Sequence, residues 1–303
     1  MMSAFPIVIS FDKKYVIPAL ITIKSILNTC SDTSKIEFFV LYKHLDKTLI
    51  QLVERVVFSF GSVISFIDCS SFLEKQRFSN NENRPLETYF PLFIPTLFKD
   101  FSRVLSIDVD VLVRDDILKI IQELPSDKKI GGVRCMIRNY RKYDDYGDFN
   151  KFSRNMLGLA DPCRYINSGL VLFNMDIITE SDSSYCIECI NKKWPFYDES
   201  ILNHVFRDSL YNFEQCWNFY AEYVDTNHLD FELNIQQQVK EAQDNASIFH
   251  FVADTKPWDH PDPETTSKYR LEYRELVASV KEEIRQSLPK VICGFMWSKI
   301  DKA

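Results

Sequence analysis

The feature that most limits what this chain can fold into is its alternation of short apolar runs with segments of helical periodicity. "FPIVISF" (residues 5–11) is a nearly unbroken apolar strand candidate ending at Asp12. Val16, Ala19, Leu20, Ile23, Ile26 and Leu27 then recur at helical spacing, with Pro18 tolerable in a first turn. The unit repeats loosely, with "IEFFVLY" (36–42) as a strand, Leu45 to Phe58 as a helix and "SVISFI" (62–67) as a third strand. Continuous apolar strands joined by amphipathic helices predict an α/β, Rossmann-like fold: a mixed, mainly parallel sheet with helices on both faces. Ligands of such sheets bind beyond the carboxyl ends of the strands. Asp12, Asp68 and Asp108 each stand where a strand is predicted to end, so that edge is acidic.

Further along, "RVLSI", "KKIGGVRCMI" and "YINSGLVLFNM" read as strands. The polar and aromatic stretch 138–155 between the last two reads as a loop that closes on a substrate or holds an acceptor. Charges alternate at helical spacing near the C-terminus, which predicts a helical extension over 261–303 after a main domain over 1–260.

Composition removes several function classes. Only 7 glycines are present, and neither GxxxxGK[ST] nor GxGxxG occurs, so the commonest phosphate-binding loops are absent. A net charge of -7 argues against nucleic acid as a partner. No apolar run is long enough to span a bilayer, and "MMSAFPIVISFDKK" lacks the marks of an export signal, so a cytoplasmic chain is expected. The short "VICGFMW" patch near the end allows peripheral contact with a membrane surface. Cys186 and Cys189 form a CxxC with no second pair to complete a zinc site, and "SSYCIECINKKW" reads as a helix, so these thiols are expected to pack rather than to bind metal.

One stretch asks for chemistry. "RVLSIDVDVLVRDD" (103–116) sets Asp108 and Asp110 two residues apart at the end of an apolar run. On an extended strand both carboxylates would face one side, where their repulsion needs a cation between them. Hard carboxylate oxygens suit Mg2+ or Mn2+, and both ions bridge to diphosphate oxygens.

That stretch, "YINSGLVLFNM" (165–175), "FYDESILNHVF" (196–206), "FHFVADTKPW" (249–258) and the opening "IVISFDKKYVIPALITIKSIL" resemble, in order and spacing, the retaining glycosyltransferases of family 8. That family includes the bacterial lipopolysaccharide galactosyl- and glucosyltransferases. The resemblance implies a GT-A fold, a UDP-sugar donor and a Mn2+ or Mg2+ cofactor held by Asp108, Asp110 and His250. It places Lys256 near the donor phosphates, Asp12 at the uracil, and Asn167 and Gly169 along the donor sugar pocket. Asp198 and Glu199 fall on the stretch facing the reacting sugar. Three positions depart from the family pattern. Its Asp-Gln-Asp reads Asp198-Glu199-Ser200 here, a glycine after the histidine is Ala253, and an arginine expected before the metal strand is Pro91, which implies a lost donor contact.

The implied activity is a metal-dependent transfer of galactose or glucose from a UDP-hexose to a glycan or glycolipid acceptor, in bacterial cell-surface polysaccharide synthesis. Two other readings stay open at this level. A haloacid-dehalogenase-type phosphatase also uses a DxD after an apolar strand, and a binding module could keep the sugar-nucleotide fold without turnover. Simpler roles stay open for single residues: Asp12 as a helix cap, His250 as a core histidine, Lys256 as a solvated lysine, Glu199 as a partner of a helix dipole.

Overall fold

The computed structural model describes residues 4–76, 86–140, 149–192, 194–221, 233–252, 256–258 and 268–287. Its main sheet contains β1 (Phe5–Ser10), β2 (Ile36–Tyr42), β3 (Ile64–Asp68), β4 (Arg103–Ile107), β6 (Ile130–Arg134), β7 (Ile166–Asn174) and β8 (Leu210–Phe213). The strand order is β3-β2-β1-β4-β7-β6-β8. β1 pairs in parallel with both β2 and β4, and β2 pairs in parallel with β3. β7 runs antiparallel to both of its neighbours, β4 and β6. The expected mixed, mainly parallel sheet is therefore present.

Burial on both faces follows from the period of two along each strand. Ile7, Ile9, Leu105, Ile107, Leu170 and Leu172 enter one core layer, beneath α1 (Val16–Thr29) and α2 (Lys47–Ser59). Val8, Val104, Val171 and Phe173 point the other way. They meet the Glu180–Ile190 and Tyr197–Val205 helices, which contribute Cys186, Ile187, Ile201 and Leu202. Cys186 and Cys189 are fully buried free thiols in that first helix, so their spacing serves packing.

A second, three-stranded sheet joins β5 (Val111–Val113), β10 (Ile248–His250) and β9 (Phe219–Tyr220). β10 pairs antiparallel to β5, with His250 opposite Val111, and parallel to β9. Two or three residues per strand leave no periodicity to read, so this sheet was not foreseen.

The C-terminal helix, Lys268–Ser287, packs on the main core and buries Tyr273, Val280 and Ile284 there. Lys24 in α1 pairs with its Glu283 at 3.3 Å, and Arg114 pairs with its Glu272 at 3.1 Å. Among the described residues no helix is long and apolar enough to cross a membrane. The "VICGFMW" patch, Ala253 and residues 141–148 of the expected 138–155 loop lie outside the described residues, and the flanks of that stretch are short helices, Met136–Tyr140 and Phe149–Phe152, rather than loop.

Because Ile284 is fully buried against the main core, Ile284→Ala should lower global stability by about 2–5 kcal/mol. Urea unfolding followed by circular dichroism checks this. A change near zero would mean that the helix lies against the domain without stabilising it.

Candidate active site

Asp108 follows the last residue of β4, and the chain bends over Asp108–Asp110 before β5 begins at Val111. The two aspartates thus sit on a turn between two sheets, not on the extended strand expected from the sequence. Their side chains converge because the bend is fastened from several sides. The Asp108 N–H donates to the Gly169 carbonyl at 2.9 Å, and the Asp110 carbonyl accepts from the Phe251 N–H at 2.9 Å. From beneath, the buried Thr22 hydroxyl of α1 lies 2.9 Å from the Val109 carbonyl and 3.0 Å from that of Val111, sharing its proton between them. Ser25, one turn later, accepts from the Val113 N–H at 3.1 Å. Two small hydroxyl residues on an otherwise apolar helix thereby satisfy backbone groups that the sheet switch leaves unpaired.

His250 closes the cluster. Its Nε2 lies 3.2 Å from Asp110 Oδ1 and 3.6 Å from Asp108 Oδ2. Lys256 Nζ donates to Asp110 Oδ2 at 2.9 Å and also to the Phe251 carbonyl. The repulsion between the carboxylates is therefore answered by two cationic groups supplied by the chain. Burial opposes ionisation of Asp110, but the His250 and Lys256 charges outweigh it and hold this carboxyl below the usual range. Burial and the neighbouring Asp110 charge push Asp108 up, with His250 and Lys256 opposing. For His250, burial would lower basicity, but the Asp110 carboxylate wins and raises it.

These groups form one end of a cavity of about 730 Å³ beyond the carboxyl ends of the parallel strands. Asp198 and Glu199, in the first turn of the Tyr197–Val205 helix, line the same cavity, with Asp198 near enough to feel the Asp108 charge. Tyr197 has φ 50°, the only positive value at a non-glycine position among the described residues. Such a conformation costs of order 1–3 kcal/mol and persists where the surroundings enforce it. Asp198 is 7% exposed, and burial drives its carboxyl well up against a hydrogen bond from Ser168, with the Asp108 and Glu199 charges adding to the rise. Glu199 Oε2 accepts from Asn167 Nδ2 at 2.7 Å. Burial raises the Glu199 carboxyl, while Tyr165, Asn167 and the Arg138 charge pull it back.

Of the nine residues expected to carry function, eight line this one cavity: Asp12, Asp108, Asp110, Asn167, Asp198, Glu199, His250 and Lys256. Gly169 does not. It is buried behind the histidine, and a Cβ there would lie 2.3 Å from His250 Cε1. Asp12 combines both roles considered for it, since it lines the cavity while Oδ1 caps the Lys13–Tyr15 turn at the Lys14 N–H, 2.7 Å away. Asp68, at the same sheet edge, only caps the following helix through Ser70.

Sequence reading missed Asn218, Thr22 and Ser25, and included Arg138 only as the first residue of the 138–155 stretch. Asn218 is 1% exposed and accepts at 2.9 Å from His250 Nδ1, but nothing in "QCWNFY" marks it. Thr22 and Ser25 carried a faint signal as polar residues on an apolar helix face. Arg138 also lines the cavity, with its guanidinium 3.9 Å from the centre of the Phe196 ring. It brings positive charge to a cavity whose wall has Pro91 where an arginine was expected.

The cluster Asp108, Asp110 and His250 offers two oxygens and one nitrogen within 4.8 Å of one another, a donor set that fits a divalent ion such as Mn2+. Comparison with known proteins agrees with this architecture. The model of glycosyl transferase family 8 matches residues 6–261. General stress protein A of Bacillus subtilis is 22% identical over 265 residues, covering 85% of this chain and 87% of that protein. Glycosyltransferase GlyF of Streptococcus pneumoniae is 25% identical over 256 residues, covering 84% of this chain and 57% of that protein. Among solved structures, the galactosyltransferase LgtC in complex with donor and acceptor sugar analogues superposes with a TM-score of 0.69 at 23% identity, over 94% of this chain and all of that one. The apo bifunctional glycosyltransferase WbbM gives a TM-score of 0.79 at 22% identity, over 95% of this chain and 52% of that one. This chain thus spans about half of WbbM, and the shared architecture is the GT-A fold.

Gly169→Ala tests the close packing behind the histidine. The added methyl must displace the His250 ring, and overpacking of this kind costs about 1–3 kcal/mol. Thermal or urea unfolding of the variant checks this. Unchanged stability would show that the ring has room to move.

Proposed function

The chain belongs to glycosyl transferase family 8, and we propose that it is a metal-dependent, retaining hexosyltransferase. In this reading it moves galactose or glucose from a UDP-sugar to a glycan or glycolipid acceptor of a bacterial cell surface. Family membership sets the phosphatase alternative aside. The observation that carries the reading is the convergence of Asp108, Asp110 and His250 in a cavity that Asp198 and Glu199 also line. Free thiols, several of them buried, fit the reducing cytoplasm as its place of work.

Asp108, Asp110 and His250 are proposed to hold Mn2+ or Mg2+, which supplies charge neutralisation for a departing diphosphate. Lys256 brings a second cation to the same end, where negative charge grows on the leaving group. Asp12 is assigned to the uracil end, with one oxygen already fixed by Lys14. Asp198, whose carboxyl burial pushes well up, is assigned to hydrogen-bond a hydroxyl of the donor sugar. Glu199 is assigned as the nucleophile. Its carboxylate oxygen bonds to the anomeric carbon as the bond to the diphosphate breaks and the electron pair leaves with UDP. The acceptor hydroxyl oxygen then bonds to that carbon as the ester breaks, and the hydroxyl proton passes to the freed carboxylate. Two inversions give retention. The family places an amide at this position, and the carboxylate here is the better nucleophile.

Three outcomes are expected. Asp110→Asn should reduce transfer to background, measured as UDP release with Mn2+ present; full turnover would sink the metal reading. Glu199→Gln should lower kcat by several decades and abolish any glycosyl-enzyme adduct seen by mass spectrometry after rapid quench. A loss of only a few fold, with no adduct in the parent enzyme, would instead assign retention to same-face attack assisted by UDP. The acid limb of kcat/KM should have its midpoint above 4.5, because the carboxyl is raised in the free folded protein and must be ionised to attack. A limb at or below that value would exclude Glu199 as its source.

A further inference from the structure

An unbroken line of side-chain hydrogen bonds joins Glu199 to His250. Glu199 Oε2 meets Asn167 Nδ2 at 2.7 Å, Asn167 Oδ1 meets Asn218 Nδ2 at 2.9 Å, and Asn218 Oδ1 meets His250 Nδ1 at 2.9 Å. The direction of the line is set by one backbone group. The Gly169 N–H lies 3.0 Å from the nearer end of the Asn167 amide, and since an N–H only donates, that end must be Oδ1. The Asn218 group facing Asn167 Oδ1 must then be its NH2, which turns the Asn218 oxygen toward the histidine. His250 Nδ1 must therefore carry a proton, and Nε2 is the ring nitrogen presented to Asp108 and Asp110. At the other end the same constraint turns the Asn167 NH2 toward Glu199.

We propose that Asn218 is a positioning residue that fixes the His250 ring for metal binding and, through Asn167, holds the Glu199 carboxylate in place. This rests on the reading of Glu199 and the metal cluster given above. Asn167 is reassigned with it. Its oxygen accepts twice and one N–H donates to Glu199, so only its second N–H is left for the donor sugar. Asn218, 1% exposed, has no route to substrate except through these partners. Outer hydrogen bonds to a ligating histidine set its tautomer and orientation, and their loss typically weakens metal binding 10- to 100-fold.

The two arms separate by substitution. Asn218→Asp keeps an oxygen for His250 Nδ1–H but loses the NH2 that anchors Asn167, whereas Asn218→Leu loses both. The full-length chain is labelled with 15N-histidine, and the Nδ1–H resonance of His250 is assigned by its absence in His250→Gln. In metal-free protein this resonance should be present and exchange-protected in the parent and in Asn218→Asp, and lost in Asn218→Leu. Mn2+ titration by electron paramagnetic resonance should then show at least about 10-fold weaker binding in Asn218→Leu and a change of less than about 3-fold in Asn218→Asp. In both variants kcat should fall about 10-fold or more while KM for the donor stays near the parent value.

The proposal is overturned if Asn218→Leu keeps the resonance and the Mn2+ affinity, or if Asn218→Asp keeps full kcat. Should Asn218→Leu not fold, Asn218→Ser, too short to reach either partner, takes its place with the same expected losses. A parent protein that binds no Mn2+ and transfers no sugar would defeat the functional reading, while the imidazole resonance would still decide whether Asn218 sets the His250 ring.

Discussion

Two carboxylates cannot be held together in a partly buried junction unless positive charge faces them, and much of this structure serves that requirement. Asp108 and Asp110 stand where the main sheet ends and the small sheet begins. His250 arrives because β10 pairs with β5, and Lys256 follows a few residues later. Thr22, Ser25 and the Gly169 carbonyl fix the bend from the opposite side. The small sheet brings histidine and aspartates together from positions more than a hundred residues apart.

The rest of the cavity follows from the same geometry. The antiparallel β7 passes beside β4, so Asn167 and Ser168 come to the wall and Gly169 comes to the back of the histidine. The Tyr197–Val205 helix then brings Asp198 and Glu199 to the same cavity, entered through Tyr197 at a backbone angle that the surroundings enforce. Asp108, Asp110, Asp198 and Glu199 in one cavity would repel strongly if all were ionised. They are kept apart in protonation: Asp110 is held low by its cations, while burial raises Asp108, Asp198 and Glu199. Paired acids pushed to different ranges are the usual preparation for a site in which one group attacks and another donates.

The large sheet was legible in the sequence because long apolar runs such as "IEFFVLY" can only be central strands. The convergence of the predicted residues was also legible, since ordered motifs at strand ends must meet at one sheet edge. What was hidden is local and short. Strands of two and three residues carry no period, and the bend at Asp108–Asp110 is set by partners distant in sequence. Asn218 has no pattern of its own, because its role depends on which atoms of Asn167 and His250 face it. Gly169 resembled a pocket residue by its motif, whereas packing assigns it to the space behind the ring.

The account's central claim is that the acidic pair exists to share a divalent ion with a nucleotide diphosphate. Calorimetric titration of UDP into the purified protein, with Mn2+ or with EDTA, tests it most directly. The account predicts saturable UDP binding with Mn2+ that weakens by about two orders of magnitude in EDTA, with GDP and ADP far weaker under both conditions. Equal UDP affinity in Mn2+ and EDTA would contradict it, because the aspartates would then be neutralised by His250 and Lys256 alone and would have no metal to share.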